Sequence, residues 1–141
     1  MAYKFERLEI YQLALDYLDL IYSLAAQLPR TEEYNLKSQI IRAATSIALN
    51  IAEGSTTQSN PEQSRFLSMA LRSLIETVAC QQIIERRKYV EKLRIKETYE
   101  VSLKLFAKIQ AMRRAMEKPA NKGSLKNGGL RSSVFGRIQN E

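Results

Sequence analysis

The sequence predicts an all-α protein, an up-down antiparallel four-helix bundle. Two patterns carry that expectation. Apolar residues recur at alternating spacings of three and four along four stretches, and none alternates with period two, so no sheet is expected. Pro29, Gly54, Pro61 and Pro119 fall at the edges of those stretches and never inside one, and the other four glycines lie beyond residue 120. The predicted helices span 6–28, 32–53, 61–88 and 92–117. One domain, 1–117, is long enough for a real core; the remainder, 118–141, reads as a basic Gly- and Ser-containing tail without fixed structure.

The first helix carries two apolar stripes about a quarter-turn apart. Leu8, Tyr11, Leu15, Leu18, Tyr22 and Ala25 form one, and Ala14, Tyr17, Ile21, Leu24 and Leu28 the other, with Leu13 and Leu20 widening the surface. Glu9, Gln12, Asp16, Asp19 and Ser23 are what stays polar. A helix inside a monomeric bundle needs an apolar face of about 100° or a little more. This one exceeds it, so a subunit interface is expected.

The second helix has a core stripe of Ile40, Ala43, Ile47 and Ile51 beside a small-residue seam, Ile41, Ala44, Ala48 and Ala52. Its third face is a polar line: Gln39, Arg42, Ser46, Asn50 and Glu53. Gly54 is placed to end this helix as a C-terminal glycine. The third helix opens with Asn60 as N-cap, Pro61 at the first position and Gln63 at the third. It offers Arg65, Arg72, Ser73 and Glu76 as partners for the polar line, among Leu67, Ala70, Leu71, Leu74 and Val78. The fourth helix sets Ile95, Tyr99, Phe106, Ile109, Met112 and Met116 towards the core, with Lys96, Glu100, Lys104 and Lys108 opposite.

The polar line admits two readings. Arg42, Asn50 and Glu53 either line a ligand pocket, or pair with Arg72, Ser73 and Glu76 or a neighbouring subunit and fix the packing. A buried polar group left unpaired costs about 1–3 kcal/mol, so the structural reading is preferred.

Composition removes most chemistry. The chain has no His, which excludes Ser-His-Asp and Cys-His nucleophiles, His-ligated zinc and Glu-x-x-His di-iron sites. Glu53 and Glu76 are the remaining carboxylate pair, with no metal-binding or phosphate-cradling motif near them, so neither enzymatic activity nor a cofactor is expected. A single cysteine, Cys80, and early charges at Glu6, Arg7 and Glu9 argue for a reducing compartment and against a signal peptide. Cytoplasmic residence and no membrane partner are the corresponding expectations.

Charge points instead to a polyanion. Lys and Arg outnumber Asp and Glu by 22 to 15, for a net +7. In residues 85–96, Arg86, Arg87, Lys88, Lys92, Arg94 and Lys96 face only Glu85 and Glu91. In an up-down bundle the connection after the first helix shares that end, adding Arg30 and Lys37. Lys122, Lys126, Arg131 and Arg137 of the tail would lie at the other end. Tyr89 is a candidate to stack on an unpaired base. These residues form the expected nucleic-acid interface, RNA first.

The run SIALNIAEGS, preceded by QIIRAA and followed by FLSMALRSLIE, resembles the bacterial four helix bundle protein family. That family takes in proteins encoded in large-subunit rRNA intervening sequences and the Avd accessory proteins of diversity-generating retroelements. The similarity covers roughly residues 3–117, including KFERLEIYQLALDYLDLIY and LPRTEEYNL; the tail and the basic ERRKYVEKLR turn depart from it. It implies a ring-shaped homo-oligomer, usually a pentamer. For the retroelement branch it also implies binding to nucleic acid and to a reverse transcriptase. The competing expectation is an intervening-sequence-type scaffold that binds a protein partner and has no direct nucleic-acid role.

Overall fold

The computed structural model describes residues 2–117, and the predicted tail lies outside them. Four α-helices make up the described chain: α1 (Glu9–Ala25), α2 (Leu36–Gly54), α3 (Asn60–Arg86) and α4 (Lys92–Glu117). Single 3₁₀ turns precede α1 (Lys4–Arg7) and α2 (Arg30–Glu32). α1 packs on α2, α2 on α3, α3 on α4, and α4 returns to α1, closing the bundle. Tyr17, Ile21, Leu24, Ile40, Ile47, Ile51, Leu67, Leu74, Ile84 and Leu105 fill the space between them. Each such aliphatic side chain contributes about 1.5–3 kcal/mol by leaving water.

The helix ends differ from the sequence expectations in instructive ways. α1 starts at Glu9 rather than residue 6, because the fully buried Leu8 takes an extended backbone (φ −72°, ψ 127°) that turns it under the bundle. It stops at Ala25 rather than 28, since Pro29 disfavours helical backbone at the residue before it. α2 begins four residues later than predicted, with Asn35 bonded to Glu32 (3.0 Å) and Gln39 reaching back to Asn35 (2.8 Å). Ser59, not Asn60, caps α3: its Oγ accepts from the Glu62 N–H at 3.5 Å. Gln63 belongs to no capping box; its Nε2 donates to the Thr57 carbonyl at 2.6 Å.

Gly54 is a different kind of glycine from the one expected. No glycine among the described residues has positive φ, and Gly54 is simply the last residue of α2. A Cβ there would lie 2.9 Å from Cβ of Phe66 on α3. Its job is close helix–helix approach. The left-handed residue is Lys88 (φ 59°), at the end of α3. Its N–H bonds the Glu85 carbonyl (3.0 Å), and the Tyr89 N–H bonds that of Ile84 (3.2 Å), a Schellman closure usually made with glycine.

On α4 Ile95, Ile109, Met112 and Met116 of the expected stripe are buried, and burial shifts by one position only at the two aromatic residues. Ile95, Thr98, Ser102, Leu105, Ile109, Met112 and Met116 face inward at strict spacings of three and four. Tyr99 is 40% exposed and Phe106 only partly buried, so neither belongs to the core face. Thr98 and Ser102 are tolerated inside because their hydroxyls donate to the carbonyls of Arg94 and Tyr99. On α1 the two stripes differ in depth. Ala14, Tyr17, Ile21 and Leu24 are buried and Leu28 half-buried, while of the other stripe Leu8 and Ala25 are buried, Tyr11, Leu15 and Leu18 are half-buried against the edge of the core, and Tyr22 is exposed.

Candidate nucleic-acid interface

The polar line is shorter than its sequence pattern. Ser73 Oγ donates to Ser46 Oγ across α2 and α3 at 2.9 Å, and Asn50 Nδ2 donates to the Ser46 carbonyl (2.9 Å) and Oγ (3.0 Å). Those three residues form the inter-helix link. Gln39, Arg42, Glu53, Arg72 and Glu76 sit on the exposed surface. Arg42 bonds within its own helix, to Ser38 at 3.1 Å. Within one chain, a short contact among Ser46, Asn50 and Ser73 takes the place of the expected pairing of Arg42 and Glu53 with Arg72 and Glu76. A long charged side chain keeps its hydration by staying outside, whereas the short, partly buried groups are too close to the seam to extend away from it and bond one another.

The bundle's buried polar network lies elsewhere, on residues that sequence reasoning assigned to plain packing or passed over. Gln81 Nε2 donates to Tyr17 Oη (2.7 Å), Tyr17 shares a proton with Thr77 Oγ1 (2.7 Å), and Thr77 Oγ1 donates to the Leu74 carbonyl (2.6 Å). One consistent order runs through all three: the tyrosine hydroxyl accepts from Gln81 and donates to Thr77. Burial is the main cause that pushes the Tyr17 hydroxyl up to about 12, against the two hydrogen bonds, which act the other way. Gln81 Oε1 is left buried without a partner. Cys80, next to it, is buried, and its thiol is raised by burial and then by Glu76, which makes it a poor nucleophile. Among the described residues no three Cys, Asp or Glu side chains gather as a metal ion would need.

The basic residues form a patch at one end. Tyr89 Oη donates to Glu32 Oε2 at 2.9 Å, tying the α3–α4 turn to the α1–α2 connection. Arg30, Arg86, Arg87, Lys88, Lys92, Arg94 and Lys96 are all exposed at or beside these two connections. Their contributions are unequal. Lys37 is paired with Glu33 at 3.1 Å, and Glu32 and Glu33 offset Arg30 and Lys37, so the α1–α2 side adds no net charge. Arg87 lies against the Tyr89 ring (5.8 Å to the centroid) and donates to its hydroxyl at 3.4 Å. The Tyr89 hydroxyl is thus engaged by Glu32 and Arg87, and the Arg87 guanidinium lies against the ring. Hydrogen bonds from Asn35 and Tyr89 hold the Glu32 carboxyl below its ordinary range. What remains is Arg86, Lys88, Lys92, Arg94 and Lys96: exposed, and without an ion-pair partner among the described residues.

The family model for the 23S rRNA-intervening sequence protein matches residues 6–113, which takes in α1 to α3 and most of α4. The chain belongs to that family. A solved structure from Bacteroides thetaiotaomicron, described as a protein of unknown function from the S23 ribosomal protein family, has the same fold. Its TM-score is 0.69 at 23% identity, over 74% of this chain and 98% of that one. No curated protein matches the chain. In this intervening-sequence protein the family match ends four residues before α4 does. Lys122, Lys126, Arg131 and Arg137 lie outside both that match and the described residues. No helix among the described residues of the intervening-sequence protein is long and apolar enough to cross a membrane.

Proposed function

We propose that this intervening-sequence protein is a non-enzymatic, homo-oligomeric RNA-binding accessory factor that holds the phosphate backbone at its basic end. One observation carries the reading: Arg86, Lys88, Lys92, Arg94 and Lys96 stand exposed and unpaired around a single turn, within a segment of net +4. Phosphate contacts of this kind give affinity without reading sequence. Oligomer formation is supported by the outer stripe of α1, where Tyr11, Leu15 and Leu18 are only half-buried and Tyr22 is 51% exposed. In a ring, a pentamer on the family resemblance, the basic turns of all subunits would sum to a collar. The partner for such a factor is an RNA-handling enzyme, with a reverse transcriptase the case that the resemblance implies.

The test is salt dependence. RNA binding by the wild type should weaken steeply with salt, and reversing Arg86, Lys88 and Lys92 to Glu should flatten the slope by about 2, at roughly 0.7 per phosphate contact on a single strand. No binding at low salt, or binding indifferent to salt, refutes the reading. Light scattering tests the assembly, and a monomer at working concentration refutes that part.

A second reading, a scaffold for a protein partner, is favoured by a separate groove of about 330 Å³ between α3 and α4. Leu71, Ile75 and Phe106 line it, with Arg72 and Arg113 at its edge, and Ile75 is 54% exposed. Capture of a partner that survives nuclease treatment would favour the scaffold.

A further inference from the structure

Near the α3–α4 turn a second groove of about 370 Å³ opens between the two helices, in the size range of small-molecule sites. Gln81 and Ile95, 1% and 5% exposed, are the most deeply set of its residues. Gln82 and Glu85 line it from α3, and Lys92, Lys96 and Tyr99 from α4. Three features of this groove are independent of one another. Gln81 spends its amide N–H on Tyr17, and its Oε1 is a buried acceptor with no donor. Tyr99 keeps 40% of its surface exposed and makes no core contact that would use its ring. Lys92 and Lys96, four apart and so on one face of α4, stand on the same side as Tyr99.

We propose that this groove is a slot for one unpaired nucleobase of a single-stranded RNA. The base stacks on Tyr99, its N–H groups meet the exposed side chains of Gln82 and Glu85 on α3, and the adjoining phosphates sit on Lys92 and Lys96. This rests on the reading of the basic end as an RNA surface, and it adds a preference that charge alone does not give. Phosphate contacts treat single and double strands alike apart from charge density, whereas a base inside a duplex has no free face to stack. Glu85 contributes to the selection as well, because a carboxylate repels phosphate and accepts from base N–H groups, so it orients the base edge towards α3.

The experiment uses the full chain and three probes of equal phosphate number: a single-stranded RNA 12-mer, an RNA duplex, and an abasic 12-mer, read by fluorescence anisotropy at low salt. Tyr99→Leu should weaken the single strand about tenfold, as expected for the loss of one base–aromatic stack, with its salt slope unchanged. Duplex and abasic binding should not move, and Tyr99→Phe should keep wild-type affinity. Equal weakening on all three probes, or no weakening on the single strand, overturns the slot while leaving the phosphate-binding end intact. Wild-type protein that binds none of the probes overturns both. Because Tyr99 lies outside the core face, an unchanged helical spectrum for Tyr99→Leu is the accompanying expectation.

Discussion

Removing one oxygen from the bundle core is the most exacting test of the packing described above. In Tyr17→Phe the ring stays and the hydroxyl goes, so no apolar contact is lost. The Gln81 amide then loses the acceptor it holds at 2.7 Å, beside an Oε1 that already lacks a partner. Thr77 is less affected, since its own proton still goes to the Leu74 carbonyl. Leaving one buried N–H without an acceptor should cost about 1–3 kcal/mol. Adding Gln81→Leu should recover part of that loss, because both orphaned groups leave together.

The same hydroxyl sets an alkaline signature. Tyr17 ionises near its ordinary value of 10.0 when unfolded and at about 12 when folded. Between those values the unfolded chain has released a proton that the folded chain retains, so stability falls as pH rises. Two pKa units correspond to roughly 3 kcal/mol in all, of which about 2 kcal/mol falls between pH 10 and 12 and the rest on either side. Wild type should lose about 2 kcal/mol over this window in excess of Tyr17→Phe; the other tyrosines titrate in both proteins and cancel in the difference. Urea unfolding followed by circular dichroism, at one protein concentration, measures both effects. A Tyr17→Phe variant as stable as wild type at pH 7, or with an identical alkaline slope, would refute the network as described.

Two further substitutions probe the helix ends. Lys88→Gly should raise stability by about 0.5–1 kcal/mol, since a left-handed residue with a side chain costs about 1–2 kcal/mol and glycine returns part of that as unfolded-state freedom. The urea midpoint checks it, and an unchanged or lower midpoint contradicts the strain. Gly54→Ala gains about 1 kcal/mol in helix propensity but must displace Cβ of Phe66 from 2.9 Å, and overpacking costs about 1–3 kcal/mol. Net destabilisation of about 1 kcal/mol is expected in thermal or urea unfolding, and Phe66→Ala should not relieve it, because the obstructing atom remains.

The four helices were legible because glycine and proline fall only at the edges of periodic segments, and periodicity survives whatever the neighbours are. Roles that depend on a partner far along the chain were not. Gly54 reads as a stop signal until Phe66 is placed across from it. Ser59 and Asn60 are both competent caps, and local sequence does not rank them. A usable signal was passed over on α3. Thr77 and Gln81 lie four apart on the line of Ala70, Leu74 and Ile84, and polar residues in a core stripe require a partner, here Tyr17 some 60 residues earlier. On α4, anchoring the pattern on aromatic side chains rather than on strict spacing put Tyr99 and Phe106 inside. Of the candidate interface, sequence located the cations, but not that Glu32 and Glu33 offset two of them, nor that Tyr89 bonds Glu32 and carries Arg87 against its ring.

Because the helices run up and down, α4 separates two chemically distinct poles. Its 26 residues measure about 39 Å at 1.5 Å each. The basic turn stands where α4 begins, and at its far end Glu117 accepts from Ser64 near the start of α3. That distance is several times the roughly 8–10 Å over which charges act through physiological salt. Substitutions at the Ser64–Glu117 end should therefore leave the field around the basic turn unchanged, so the two ends of the bundle can be altered independently.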